Sequence, residues 1–145
     1  MSGGKFEYRG LWRKARHLVF GLLLFIYPFL KIREGIDLTD TGYSLGNYRF
    51  FGEMDGVWML LTFLSNVTGH LFTRLPLGDT MLGVKFYATL LVSVTGLLGY
   101  RFFRTKMPSW LAFAGEIAAI SFCWCPVVIL YNYLSYLLFL LGAVL

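Results

Sequence analysis

Charged side chains are scarce in this sequence. They make up 14% of its residues, while apolar ones make up 57% and mean hydropathy is +0.64. Soluble domains carry about 25% charged residues, so this composition excludes an ordinary soluble domain and places the chain among membrane proteins. Histidine and cysteine each occur only twice. Cys123 and Cys125 stand as Cys-Trp-Cys inside an apolar run, neither a zinc spacing nor a redox Cys-x-x-Cys, so they read as structural. The sequence has no glycine-rich phosphate loop, no Ser-His-Asp arrangement and no metal-ligand cluster, and it implies no particular cofactor. Gly96 and Gly99 fit a close approach of helices better than a nucleotide site.

The charge that is present has a pattern. The net charge of +5 comes largely from Lys5, Arg9, Arg13, Lys14 and Arg16, and from Arg101, Arg104 and Lys106. Both clusters flank apolar runs, which marks them as topology signals and speaks against a nucleic-acid partner. The acids Glu34, Asp37, Asp40, Glu53 and Asp55 gather instead between residues 33 and 56.

These features predict an all-α, polytopic membrane protein. Leu18 to Leu30 is apolar throughout and bracketed by basic residues that can snorkel, so a first span is expected at 17–32. No small-x-small site follows it, which favours an uncleaved helix over a signal peptide. Further spans are expected at 81–100, 109–127 and 133–145. The segment near 57–75 is interrupted by Ser65, Asn66, Thr68, Gly69 and His70. Were it to cross, Arg101, Arg104 and Lys106 would fall outside, against the positive-inside bias. It is therefore expected to be an interfacial or protein-buried helix that does not span, within an external loop 33–80. The resulting topology is a multi-pass protein of the cell membrane with a cytoplasmic amino-terminus. The last pass stops after about 13 residues where a span needs about 20, so residues 1–145 are expected to be the amino-terminal portion of a longer single domain.

Several polar residues in this apolar chain are candidates for chemistry. Asp37 and Asp40 follow the first span at the membrane–water boundary. They are either members of a solvated loop, with Tyr43 and Tyr48 in an aromatic belt, or carboxylates able to act as general base toward a lipid-linked substrate. Asn66 and His70, four apart, share a helix face that either touches a substrate or satisfies hydrogen bonds inside the bundle. Glu116, inside an apolar run, is a functional candidate or a structural hydrogen-bonding group.

The segment "DLTDTGYSLGNYRFF" resembles the first external loop of the GT-C superfamily of membrane glycosyltransferases, which includes the protein mannosyltransferases and aminoarabinose transferases. In that family an acidic residue or pair, often Asp-Glu-x-x-Tyr, follows the first helix. Asp40-Thr-Gly-Tyr43 is similar in the Asp and its spacing to Tyr. It departs at Thr41, where many members have Glu, which leaves open whether Asp37 supplies a second acid. "LFTRLPLGDTMLGVKFYATLL" is similar to the segment leading into the family's second span, and "VILYNYLSYLLFLLGA" to the junction of the third and fourth. The resemblance implies transfer of a sugar from a polyprenyl-phosphate donor to an acceptor outside the cytoplasm. Asp40, with Asp37, would be catalytic. Arg74 and Lys85 would steady the leaving phosphate, with Tyr43 and His70 as further substrate-binding residues. The competing expectation is a small non-catalytic membrane protein: a scaffold, transporter fragment or assembly subunit.

Overall fold

The computed structural model of the chain describes residues 3–34, 40–122 and 131–144, and among these it is all-helical. The elements are α1 (Gly3–Ile26), a 3₁₀ turn (Tyr27–Lys31), α2 (Asp40–Arg49), a second 3₁₀ turn (Phe51–Glu53), α3 (Gly56–Leu61), α4 (Phe63–Thr73), α5 (Met81–Phe103), α6 (Ser109–Phe122) and α7 (Tyr131–Val144).

Local chemistry sets these boundaries. Pro28 cannot donate to the helical ladder and crowds the carbonyl four residues back, so α1 ends at Ile26 and continues as a 3₁₀ turn. The stretch expected as a 17–32 span is thus part α-helix and part 3₁₀, and rises about 25 Å against a bilayer core of roughly 30 Å. Thr80 starts α5, its hydroxyl oxygen accepting from the Gly83 N–H at 3.1 Å. At 23 residues, α5 outruns the expected 81–100 and, among the described residues, is the helix long and apolar enough to cross a membrane. The expected 109–127 span is described as far as Phe122. Residues 123–130, with Cys123, Cys125 and the expected bend at Pro126, lie outside the described residues.

The segment near 57–75 is broken. Thr62 leaves helical geometry at φ −128° and ψ 29°, dividing it into helices of 6 and 11 residues. Both are shorter than the roughly 20 residues a span needs. The 33–56 region, read from sequence as a polar loop, contains the ten-residue α2.

Helix α5 stands at the centre, in contact with α1, α4, α6 and α7. His17 Nδ1 and Tyr100 Oη are 2.7 Å apart, the Ser93 hydroxyl donates to the Phe25 carbonyl at 2.9 Å, and the Phe29 and Phe86 rings lie 5.6 Å apart. Helices α1 and α5 are therefore antiparallel. Phe20 stacks on Phe113 at 4.3 Å and the Tyr27 hydroxyl lies 2.6 Å from that of Ser121, so α6 runs with α1. Ser121 gives its own proton to the Ile117 carbonyl, which makes Tyr27 the donor in that pair. At Gly99, an added Cβ would collide with the Glu116 carboxylate, and at Gly96 it would meet Ile120 Cδ1 at 3.0 Å. These two glycines let α5 and α6 approach, as their spacing suggested.

The buried face of α5 is rich in polar and small residues: Lys85, Thr89, Ser93 and Thr95 are buried alongside Gly96 and Gly99, with Val84, Ala88 and Tyr100 between them. Large apolar side chains point outward, among them Leu18, Leu22 and Leu30 after α1's basic segment, Leu82 and Phe86 on α5, Phe122 on α6 and Phe139 on α7.

Candidate functional site

The pairings above put opposite chemistry at the two ends of the bundle. At one end, His17 bonds Tyr100 and the Arg104 guanidinium carbon lies 5.8 Å from the Tyr100 ring centroid, so the two basic clusters meet. At the other end, α2 and α4 pack against each other and against the first turns of α5.

Tyr48 holds that end together. It is 0% exposed and packs with Leu45 and Val84. Its ring lies so close over Gly69 that a Cβ there would overlap three ring carbons. Burial pushes its phenol pKa up, with the Ser44 hydrogen bond acting in the opposite direction. His70 completes the junction. Its Nδ1 lies 2.8 Å from the Tyr48 carbonyl, which can only accept, so the proton sits on Nδ1. Phe51 stacks on the imidazole at 5.2 Å. Of the two expectations for His70 and Asn66, the geometry fits internal hydrogen bonding: Asn66 is 1% exposed and donates to the Thr62 hydroxyl at 2.9 Å.

Lys85 is also engaged internally. The residue is 7% exposed, and its ammonium donates to the backbone carbonyls of Ile32, at 3.3 Å, and Glu34. This lysine closes the end of the first 3₁₀ turn and anchors the chain just before residues 35–39. Asp37 lies within that stretch, outside the described residues. Glu116 accepts from the Tyr136 hydroxyl at 3.2 Å, the structural alternative for that carboxylate.

Asp40, Tyr43 and Arg74 are exposed. Asp40 opens α2 in its first turn, where a carboxylate favours the helix dipole. Positions 40, 43 and 47 fall on one helical stripe, beside the one that carries the buried Thr41, Ser44 and Tyr48. Asn47 Nδ2 on that stripe is, among the described residues, the buried side-chain atom with no hydrogen-bond partner. Asn47 was missed from sequence because only a helical register aligns it with Asp40.

A cleft of about 380 Å³ opens where α2, α4 and α5 meet, lined by Leu45, Arg49, Thr73, Asp79, Thr80 and Val84, among others. Arg74 follows directly on Thr73. Asp40 stands nine residues before Arg49, about 14 Å along the helix axis, so the carboxylate and the cleft are neighbouring features and not one pocket. No three His, Cys, Asp or Glu side chains among the described residues converge as a metal site. Comparison with protein-family models, curated proteins and solved structures finds no match to this chain.

Proposed function

We propose that this chain belongs to an integral membrane glycosyltransferase, which transfers a sugar from a polyprenyl-phosphate donor to an extracytoplasmic acceptor. Four membrane passes, at α1 with its 3₁₀ turn, α5, α6 and α7, carry it in the cell membrane with the amino-terminus cytoplasmic. The reading of the bundle as membrane-embedded draws on its inverted polarity. Serine, threonine and glycine are turned inward while Leu82, Phe86, Phe122 and Phe139 are turned out, the arrangement that lipid favours and water penalises.

The observation that carries the functional reading is the placement of Asp40. It is an exposed carboxylate at the start of α2, on a stripe with Tyr43 and Asn47, at the end of the bundle opposite the basic clusters. In the proposed topology this end meets the headgroup layer, where a lipid-linked donor presents its phosphate. A base there takes the acceptor hydroxyl proton as the acceptor oxygen bonds to the anomeric carbon and the sugar–phosphate bond breaks, the phosphate leaving with the bonding pair. Phosphate leaves readily, so the demand falls on the base and on a cation near the phosphate, for which exposed Arg74 is the candidate. With its ammonium on two carbonyls, Lys85 acts here as the anchor of the chain at Ile32 and Glu34 and not as a phosphate ligand. Tyr43 fixes depth through its amphipathic ring.

The non-catalytic alternative draws on the same side chains: His70 and Lys85 are spent on internal hydrogen bonds, as a scaffold would have them. The two readings part in one experiment. Membranes containing the gene product are given a radiolabelled polyprenyl-phosphate sugar, and transfer is compared with Asp40→Asn. Loss of general-base assistance lowers turnover by about 10²–10⁴-fold. Turnover near wild type in a folded Asp40→Asn variant, or no transfer by either protein from any polyprenyl-phosphate sugar, sinks the transferase reading.

A further inference from the structure

The cleft between α2, α4 and α5 is not used by the chemistry proposed for Asp40, and its polar groups are unusual. Arg49, at the end of α2, and Asp79, on the turn before α5, line it from two sides. Both are exposed, and among the described residues neither is ion-paired, with the other or with a third group.

The remaining polar side chains of the cleft have little left to give. The Thr73 hydroxyl proton goes to the His70 carbonyl at 2.7 Å, and that of Thr80 to the Leu77 carbonyl at 2.7 Å. Recognition of an anion therefore falls to Arg49, the cleft's one side chain with free N–H donors among the described residues. The Asp79 carboxylate repels a simple anion from that position, just as Arg49 repels a simple cation from Asp79. A ligand carrying both charges is attracted by both.

The walls are braced. Gly78 N–H donates to the Leu75 carbonyl at 2.8 Å and the Tyr87 hydroxyl to the Pro76 carbonyl at 2.9 Å, which fixes the turn that carries Asp79. Arg49 follows the fully buried Tyr48. Rigid backbone supports confine the ordering cost of binding to the two charged side chains themselves. The floor, from Leu45 and Val84, is apolar and suits the carbon skeleton joining two charged groups.

We propose that this cleft binds a phosphate ester bearing a primary amine, a phosphoethanolamine group, with the phosphate on Arg49 and the ammonium on Asp79. A planar guanidinium matches phosphate oxygens in pairs, and a primary ammonium gives Asp79 the N–H donors that a carboxylate accepts. The same chemistry occurs in a lipid headgroup and in the free ester. The assignment does not depend on whether the chain transfers a sugar.

The test uses the full chain in detergent and four probes: dihexanoyl phosphatidylethanolamine, dihexanoyl phosphatidylglycerol, O-phosphoethanolamine and inorganic phosphate, with binding followed by calorimetry. The amine-bearing probes bind at least tenfold tighter than phosphatidylglycerol and inorganic phosphate. Asp79→Asn removes that preference, and Arg49→Gln weakens the amine-bearing probes by tenfold or more, with unchanged unfolding temperatures. O-phosphoethanolamine binding as tightly as its lipid assigns the site to the free ester, and binding tenfold more weakly assigns it to the headgroup. Either result upholds the site. Equal affinity for phosphatidylethanolamine and phosphatidylglycerol, or a preference that survives in Asp79→Asn, overturns it.

Discussion

Replacing Gly69 with alanine tests the junction that holds α2, and with it Asp40, against the rest of the bundle. In an ordinary helix interior this change stabilises by about 1 kcal/mol, because glycine pays more backbone entropy than alanine. Here the new methyl would overlap Cγ, Cδ1 and Cε1 of the Tyr48 ring. The ring has little room to retreat, since Tyr48 is 0% exposed and wedged against Val84 and Leu45. Overpacking of this kind costs about 1–3 kcal/mol. Set against the propensity gain, Gly69→Ala should destabilise by up to about 2 kcal/mol. In a Tyr48→Ala background the obstruction is gone, so the same substitution should stabilise by about 1 kcal/mol. The sign of one substitution thus reverses with the identity of a residue 21 positions away, giving a coupling of about 1–3 kcal/mol. Equilibrium unfolding of the four proteins in one detergent, followed by far-ultraviolet circular dichroism, measures it. Additive effects, or a Gly69→Ala protein more stable than wild type, would show that α2 does not rest on α4 through this contact.

Two further outcomes are expected. Lys85→Met removes the charged donor from the Ile32 and Glu34 carbonyls; hydrogen bonds to charged groups contribute about 1.5–3 kcal/mol each before desolvation is offset, so a net loss of about 2 kcal/mol and faster tryptic cleavage after Arg33 should follow, whereas unchanged cleavage would mean that the lysine anchors nothing. Tyr48, whose phenol pKa burial raises, contributes stability that is fully present below the unfolded phenol value of about 10 and is lost as pH rises above it; denaturation profiles between pH 8 and 12 should fall less steeply for Tyr48→Phe than for wild type, and parallel profiles would rule out this linkage.

The large features of the fold were legible because they follow from composition and long periodic runs. Helix α5 is nearly uniform in hydropathy, and Thr80 and Arg101 mark its ends. Helix α2 was not legible: Gly42 and Gly46 disfavour a helix, and its buried face, Thr41, Ser44, Leu45 and Tyr48, has only two apolar members. Tertiary packing on α4 and α5 overrides the local preference there. Within the candidate site, sequence could propose Asp40 and Arg74 because a charge beside an apolar run is visible along the chain itself. It could not foresee that Lys85 and His70 are committed to main-chain carbonyls 53 and 22 residues away. Nor could it bring Arg49 and Asp79 to one cleft, since their meeting depends on how α2 lies across the start of α5.

The central claim is that the Asp40 end and the basic end of the bundle face opposite sides of a membrane. Single cysteines placed at the exposed positions Gly42 and Thr105, in a Cys123→Ser, Cys125→Ser background, test it most directly. Intact cells are treated with a membrane-impermeant maleimide. The account predicts labelling at position 42 from outside, and labelling at position 105 only after permeabilisation. Labelling of both positions in intact cells, or of position 105 and not 42, would contradict it.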